Sequence, residues 1–318
     1  EFQKHSESRF IDNPNSKSFY SYVKSKLSSR SSIEAIQLDD GALTNDLDKC
    51  NAFNDYFSSV FIDDDGNSPD LIATDVQTIP DFQVTRAEVF NALKWLPNKY
   101  SFGPDNIPSC FLKNLAVQLS VPLQKLFHCS LLSGKLPDKW KLATVSPLYK
   151  GKGSRLLMDS YRPISLTSVC CKSLERIVKY RITKHIVDNA VISPDQYGFI
   201  ENKSTQTQLL GCLNDWTLAV DQSPGIDVIY LDIRKAFDTV SHTKLISVLQ
   251  NYGISGSILA WLKDFLFGRR QRVRINDSYS DYSAVRSGVP QGSVLGPLLF
   301  ILYINDTCSY VGLPTYIV

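Results

Sequence analysis

The sequence predicts a helix-rich α+β fold, and three observations carry that expectation. Apolar residues recur at helical spacing in stretches spread over the whole chain. Between them lie short runs with strand character, at 140–149, 226–231 and 270–276. No internal repeat is present, and the alternation of helix-rich and strand segments argues an α+β architecture.

The elements follow in order. Residues 1–40 are polar and Ser-rich, with a short helix expected at 19–27 and a turn at Asp39-Asp40-Gly41. From 45 to 61, Leu47, Cys50, Phe53, Phe57, Val60 and Phe61 recur at helical spacing. The acidic stretch 63–69 that follows lacks the ligand spacing and terminal Glu of a calcium loop and reads as a solvated linker. Thr85 and Glu88 form a capping box for a helix that Pro97 stops. A Gly-Pro-punctuated loop, SFGPDNIPSCFLKNL, feeds the next helical region, which Pro122 is expected to divide and Gly134 and Pro137 to end.

The strand at 140–149 runs into a basic turn, Lys150-Gly151-Lys152-Gly153. Pro163 biases the preceding Arg162 to an extended backbone. An amphipathic helix at 169–187 uses Leu174, Ile177, Val178 and Ile182, and another follows Ser204-Thr205 with Leu209, Leu213, Trp216 and Val220. After the turn Ser223-Pro224-Gly225, the β-branched and aromatic run 226–231 ends in a carboxylate, Asp232. Helices are expected at 242–252, capped by Gly253, and at 257–267. Residues 270–276 alternate cation and apolar residue, as a half-exposed strand does, and the loop Ser287–Ser293 leads into an apolar helix at 294–304.

Composition narrows the function classes. A chain of 318 residues has room for about two domains, and 43% apolar with 21% charged residues is ordinary for a globular protein. No run approaches the ~18 apolar residues of a membrane span, and EFQKHSESRF has no signal-peptide core. Seven scattered cysteines without a C-x-x-C pair, beside four histidines, argue against structural zinc and for a reduced intracellular setting. The net charge of +2 conceals an asymmetry: residues 1–80 carry seven Lys/Arg against fourteen Asp/Glu, and residues 135–185 carry twelve against three. Such a basic block suits a polyanion, and equally a solvated helix face.

A carboxylate at the end of a buried strand sits on a rigid element, which makes Asp232 the first candidate for chemistry. Read alone, it serves as well to cap the following turn. Phe237 alone reads equally as a core aromatic, and Asp238 as a cap of the segment leading to His242.

The blocks SFGPDNIPSCFLKN, TVSPLYKGKG, SYRPISLTSVCCKSLERIV, DQYGFIENKST, YLDIRKAFDTVSH and SGVPQGSVLGPLLFILYIND, in this order, resemble the reverse transcriptase of non-LTR (LINE-type, jockey- or CR1-like) retrotransposons. The early helix with Phe53-Asn54-Asp55-Tyr56-Phe57 is similar to a segment upstream of that polymerase. The resemblance implies a right-hand polymerase with fingers and a partial palm, an N-terminal helical extension and no thumb. In those terms residues 1–80 are the linker and helical extension, 81–222 the fingers with the basic block, and 223–318 the partial palm.

The implied function is RNA-directed DNA polymerisation, a nucleotidyl transfer by a two-metal mechanism. The alternatives are a catalytically inactive nucleic-acid-binding remnant and a group II intron maturase-like protein. The resemblance makes Asp232 the first catalytic carboxylate and metal ligand, with the Ile233 backbone carbonyl beside it. Two Mg²⁺ ions are implied, or Mn²⁺ in their place, since such ions take hard oxygen ligands. Lys150 or Lys152, with Arg162, Phe237, Gln291 and Gly292, would bind the nucleotide, Phe237 as the gate against a 2′-hydroxyl.

Gln196, Gly198, Phe199, Ser204, Thr205, Gly288 and Pro290 would support template and primer. Ile200 and Glu201 depart from the basic residues relatives commonly carry there, which weakens the template side. Arg269, Arg270, Arg272 and Arg274 read either as backbone-phosphate contacts or as a solvated edge strand. The family's aromatic-Ala-Asp-Asp box is expected just after the strand ending at Val318, so this fragment alone is expected not to turn over. The implied partners are an RNA template, a DNA primer, deoxynucleoside triphosphates and an upstream endonuclease domain of the same polyprotein, with no membrane. Cytoplasm and nucleus are the expected locations, although no localisation signal is seen.

Overall fold

The computed structural model describes residues 33–307 except 39, 40, 68, 73, 101, 223 and 224. The helix expected at 19–27, the turns at 39–40 and 223–224 and the strand expected before Val318 lie outside the described residues. The mixture of helices with a small sheet is α+β, as expected.

A short hairpin, β1 (Ile36–Leu38) and β2 (Gly41–Leu43), precedes α1 (Asp46–Ser58). Asn45 caps α1 by accepting from Leu47 N at 2.8 Å and Asp48 N at 3.3 Å. Thr85 and Glu88 form the anticipated capping box at the start of α2 (Arg86–Lys94). Next come α3 (Ser109–Asn114) and α4 (Ala116–Ser133). Pro122 does not divide α4. It and Gln118, whose carbonyl it leaves without an intrahelical partner, both lie on the exposed face, where water can take that carbonyl. The break falls instead at Leu115, and Gly134 ends α4 in the left-handed conformation at φ 62°.

β3 (Leu142–Tyr149) and β4 (Tyr161–Leu166) pair antiparallel, with Leu148 opposite Arg162. The helices α5 (Val169–Asp188), α6 (Thr205–Gln222), α7 (His242–Asn251) and α8 (Gly256–Leu266) follow, and then β5 (Arg270–Ile275) runs parallel to β3. β6 (Ser278–Tyr279) and β7 (Ser283–Ala284) both pair antiparallel with β5, and α9 (Gly296–Ile304) closes the described chain. The sheet order is therefore β4-β3-β5-β6, with β7 also on β5. Pro163 is tolerated because β4 is an edge strand.

Among the described residues, two cores hold this together. The larger joins α2, α4, α5, α7, α8 and α9 around side chains such as Leu93, Phe127, Leu174, Ile182, Leu249, Trp261 and Leu299. The smaller seats α1 on the sheet through Cys50, Phe53 and Phe57 against Val145, Tyr161, Val273 and Ile275. Each fully buried side chain of this size contributes roughly 1.5–3 kcal/mol.

One expectation is corrected. Residues 226–231 form no strand, and Ile229, Tyr230 and Leu231 are 81%, 83% and 86% exposed. Composition favours a strand there, but a ladder needs a neighbouring strand, and none among the described residues lies alongside. The acidic stretch after α1 is exposed, as a solvated linker is, and is tethered as well: Asp63 pairs with Arg286 at 2.9 Å, Asp65 with Lys244 at 2.7 Å, and Ser241 Oγ donates to Asp64 at 3.1 Å. Among the described residues no helix is long and apolar enough to cross a membrane.

Candidate active site

The site is built where the β3–β4 hairpin meets two loop segments, 235–241 and 287–293. Lys150 stands just past β3, its amide donating to Ser160 O at 2.8 Å. Gly151 and Gly153 turn the chain with φ of 82° and 84°. Arg162 projects exposed from β4. The extended backbone expected from Pro163 is thus realised in a strand.

The loop segments are stitched to one another. Gly288 N donates to Val240 O and Val289 N to Phe237 O, both at 2.8 Å, and Ser287 Oγ donates to Asp238 O at 2.7 Å. Buried His242 hydrogen-bonds the Gly288 carbonyl through Nε2 at 2.8 Å. A carbonyl can only accept, so Nε2 carries the proton. Burial pushes the His242 pKa down, which favours the neutral ring. A Cβ on Gly288 would lie 2.7 Å from Phe237 O, and Ser165 O lies 2.5 Å from where one on Gly292 would stand. Both glycines have positive φ, 88° and 125°, so here the close backbone approach is between protein segments. Ser165 N also donates to Gln291 O at 2.8 Å, joining this loop to β4.

Together these segments enclose a cleft of about 540 Å³. Its walls include Lys150, Tyr161, Arg162, Phe199, Lys235, Phe237, Asp238, Gln291 and Gly292. Phe237 stacks on Phe300 (4.5 Å between centroids, 21°) and meets the edge of Phe199 at 6.0 Å. Lys235 adopts a left-handed backbone, φ 54°, and sets its ammonium 5.1 Å from the centre of the Tyr56 ring on α1. Desolvation lowers the Lys150 pKa, and the neighbouring charges of Lys235, Arg162 and Lys152 lower it further against the opposing pull of Asp159. Concentrated positive charge around a concave wall favours a polyanionic ligand. The single carboxylate in the wall, Asp238, is buried, which pushes its pKa up, and Gln291 Nε2 donates to its two oxygens at 3.1 and 3.2 Å.

The structure thus brings Lys150, Arg162, Phe199, Phe237, Gln291 and Gly292 to one cleft, and leaves Lys152 outside its walls. Gly288 and Pro290 instead line a small adjoining cavity of about 30 Å³ that shares Pro163, Asp238 and Gln291 with the cleft. Gln196 is buried and donates to Gly198 O at 3.0 Å, and Ser204 Oγ accepts from Thr207 N at 3.1 Å at the start of α6, just before Thr205. Asp232 and Ile233 are exposed and outside the cleft.

Asp232 and the Ile233 carbonyl are hard oxygen donors of the kind a divalent ion takes. In number they fall short, because among the described residues no three His, Cys, Asp or Glu side chains gather to hold a metal. A two-ion centre is therefore not assembled from the described residues.

Two further expectations meet different geometry. Asp238 does not cap α7, because Ser241 does, accepting from Lys244 N at 3.2 Å. The Arg270–Ile275 strand is not an edge: β3 flanks it on one side and β6 and β7 on the other. Arg270 lies over Tyr282, Arg272 over Tyr279 at 4.1 Å, and Arg274 over Tyr279. Arg269 is buried, its Nη1 donating to Phe265 O at 3.0 Å.

Sequence reasoning passed over three contributors. Lys235 reaches the cleft by its αL backbone, which nothing in its type announces. Fully buried Glu175 on α5 accepts from Val294 N at 2.7 Å and Leu295 N at 3.2 Å, at the start of α9. Asp105 accepts from Ser168 Oγ at 2.5 Å, while a Cβ on Gly103 would stand 2.4 Å from Thr167 O, docking that loop beneath the end of β4. A Glu inside an otherwise apolar helix face was the available signal for Glu175.

Comparison with known proteins adds to this geometry. Residues 149–311 match the family model described as reverse transcriptase (RNA-dependent DNA polymerase). The chain is similar to "Probable RNA-directed DNA polymerase from transposon BS" of Drosophila melanogaster, 33% identical over 244 residues, covering 74% of the chain and 26% of the relative. It is similar to "Probable RNA-directed DNA polymerase from transposon X-element" of the same fly, 33% identical over 220 residues, covering 69% and 24%. The "RNA-directed DNA polymerase from mobile element jockey", also of that fly, is 30% identical over 229 residues, covering 72% and 25%. The chain thus spans about a quarter of the length of these curated relatives.

Proposed function

Since the chain belongs to the reverse transcriptase (RNA-dependent DNA polymerase) family, in its non-LTR, LINE-type branch, we propose that it forms the nucleotide-binding part of an RNA-directed DNA polymerase. The observation that carries this reading is the cleft, where Lys150, Arg162, Phe237 and Gln291 converge from four separate segments.

Arg162 offers a planar fork to phosphate oxygens and Lys150 a point charge, with Lys235 adding to the field. Together they hold the triphosphate and offset the negative charge that develops on its leaving group. Phe237, wedged between Phe300 and Phe199, is a rigid wall against the sugar, leaving no room for a 2′-hydroxyl. Residues 81–222 then serve as fingers, 223–318 as part of the palm, and 1–80 as an extension seated on the sheet through α1.

Asp232 and the Ile233 carbonyl are assigned to a divalent ion, Mg²⁺ or Mn²⁺. When bound, such an ion stabilises the attacking and leaving oxygens of the phosphoryl transfer. Gln196, Gly198, Ser204 and Thr205 support the template side, with Gly288 and Pro290 holding the loop from below. The further partners on this reading are an RNA template, a DNA primer, and an endonuclease domain of the same polyprotein, in a protein with access to the nucleus.

The test is primer extension on an RNA template by a longer protein in which this chain continues through an aromatic-Ala-Asp-Asp segment. Asp232→Ala is expected to abolish synthesis, and Phe237→Val to relax the preference for deoxy- over ribonucleotides by about 10-fold or more. Undiminished synthesis by Asp232→Ala would remove it from the metal site. Nucleic-acid binding without synthesis by the unsubstituted protein would favour a non-catalytic remnant.

A further inference from the structure

The segment that leaves α1 touches both loops of the cleft. Ile62 N donates to Ser287 Oγ at 2.9 Å, and that hydroxyl donates in turn to Asp238 O at 2.7 Å. Ser287 is 1% exposed, so its one hydrogen and one of its lone pairs are committed away from water. Its hydroxyl is a relay that joins residues 61–65 to the 287–293 loop and to the 235–241 loop. Phe61, with Phe57 of α1, also lines the small cavity shared by Asp238, Ser287 and Gln291. The ring of Tyr56 on the same helix meets the Lys235 ammonium.

Three consecutive carboxylates extend the contact. Asp63 pairs with Arg286, directly before Ser287, and Asp65 pairs with Lys244 on α7. Between them, Asp64 accepts from Ser241 Oγ, the cap of α7. Hydrogen bonds from the Thr243 side chain, the Gly66 amide, Ser241 and the Thr243 amide hold the Asp64 carboxyl below its usual range. A carboxylate at that place also meets the positive end of α7, into which the 235–241 loop runs. The two ion pairs are exposed, so each alone is worth a few-fold at most. Acting with the buried relay, they fix where both loops sit.

None of residues 61–65 belongs to the cleft walls. We propose that they form a strap through which the N-terminal extension positions the two loops that carry Lys235, Phe237, Gln291 and Gly292, with Ser287 as the positioning residue that joins them. This rests on the nucleotide-binding reading above and extends it, because affinity for a triphosphate then depends on a segment outside the cleft. The sign of the effect separates a strap from plain electrostatics. Three carboxylates beside a cationic cleft repel a triphosphate, so by field alone their neutralisation tightens binding. As a strap, their loss frees the loops and weakens it.

The experiment is calorimetric titration of the present chain with dATP at low salt, at a temperature where every variant is folded. It compares the unsubstituted protein with Ser287→Ala and with a triple variant, Asp63→Asn, Asp64→Asn and Asp65→Asn together, which alters exposed side chains only. Both variants are expected to bind dATP about 5- to 10-fold more weakly. Unchanged or tighter binding by the triple variant would overturn the proposal. A second readout needs no nucleotide: hydrogen exchange, followed by NMR, of the Gly288 and Val289 amides, which donate across the two loops to Val240 O and Phe237 O. Exchange about 5-fold faster in both variants supports the strap, and equal exchange in all three proteins refutes it. If the unsubstituted chain binds no dATP while the exchange pattern holds, the nucleotide reading fails and the strap stands as a brace of the two loops.

Discussion

Removing the Glu175 side chain tests how the loop that carries Gln291 is held. Glu175 is fully buried, and its Oε2 accepts the amides of Val294 and Leu295 as the chain enters α9. Glu175→Ala strands both donors in the interior, at about 1–3 kcal/mol each. Part of that is returned, because the buried carboxylate has one oxygen, Oε1, without a hydrogen-bond partner and relies on the field of buried Arg269. A net loss of about 3 kcal/mol follows, which for a slope of roughly 3 kcal/mol/M moves the urea midpoint down by about 1 M. Glu175→Gln keeps an acceptor for the two amides and removes the charge, so its midpoint should stay within about 0.3 M of the unsubstituted protein. Equilibrium urea unfolding followed by tryptophan fluorescence reads both variants. An Ala variant as stable as the parent, or a Gln variant as damaged as the Ala one, would refute the capping argument.

The cleft separates two lysines that lie two apart in sequence. Lys150→Ala should weaken deoxynucleoside triphosphate binding about 10- to 100-fold, the size of a lost charge-assisted hydrogen bond, and Lys152→Ala less than threefold, as read by titration calorimetry; equal effects would contradict the geometry. A pH prediction follows from Asp238, whose pKa burial raises against the opposing effects of Gln291 and Lys235. The folded state then binds its proton more tightly than the unfolded chain, so this group's contribution to stability falls as pH rises from the ordinary carboxylate range through the raised value. The melting temperature of Asp238→Asn relative to the parent should therefore climb between about pH 4 and pH 7, and a flat or falling difference would show that Asp238 is not desolvated.

Much of this molecule was legible in local chemistry. The capping box at Thr85, the left-handed stop at Gly134, the long α5 and the extended Arg162 each depend on residues within a few positions of one another, so the sequence states them directly. The later blocks, from TVSPLYKGKG to SGVPQGSV, contain the residues that line the cleft, while Asp232, Ile233 and Lys152 from the same blocks lie outside it. What the sequence could not state is anything that requires a distant partner. Residues 226–231 have strand composition but no strand beside them among the described residues, and composition cannot supply hydrogen bonds. Pro122 stays inside α4 because it and Gln118, whose carbonyl it orphans, lie on the exposed face, which only the packed structure reveals.

The same division runs through the site. By itself the sequence determined the order of the blocks and, through the resemblance they carry, which residues are proposed for the chemistry. Only the tertiary structure decided that Lys150 rather than Lys152 faces the cleft, that Lys235 joins it, and that Asp238 turns from a helix cap into the partner of Gln291. The reason is physical: a hydrogen bond across 53 residues and a cleft shared by four segments exist only once the cores beneath them have packed.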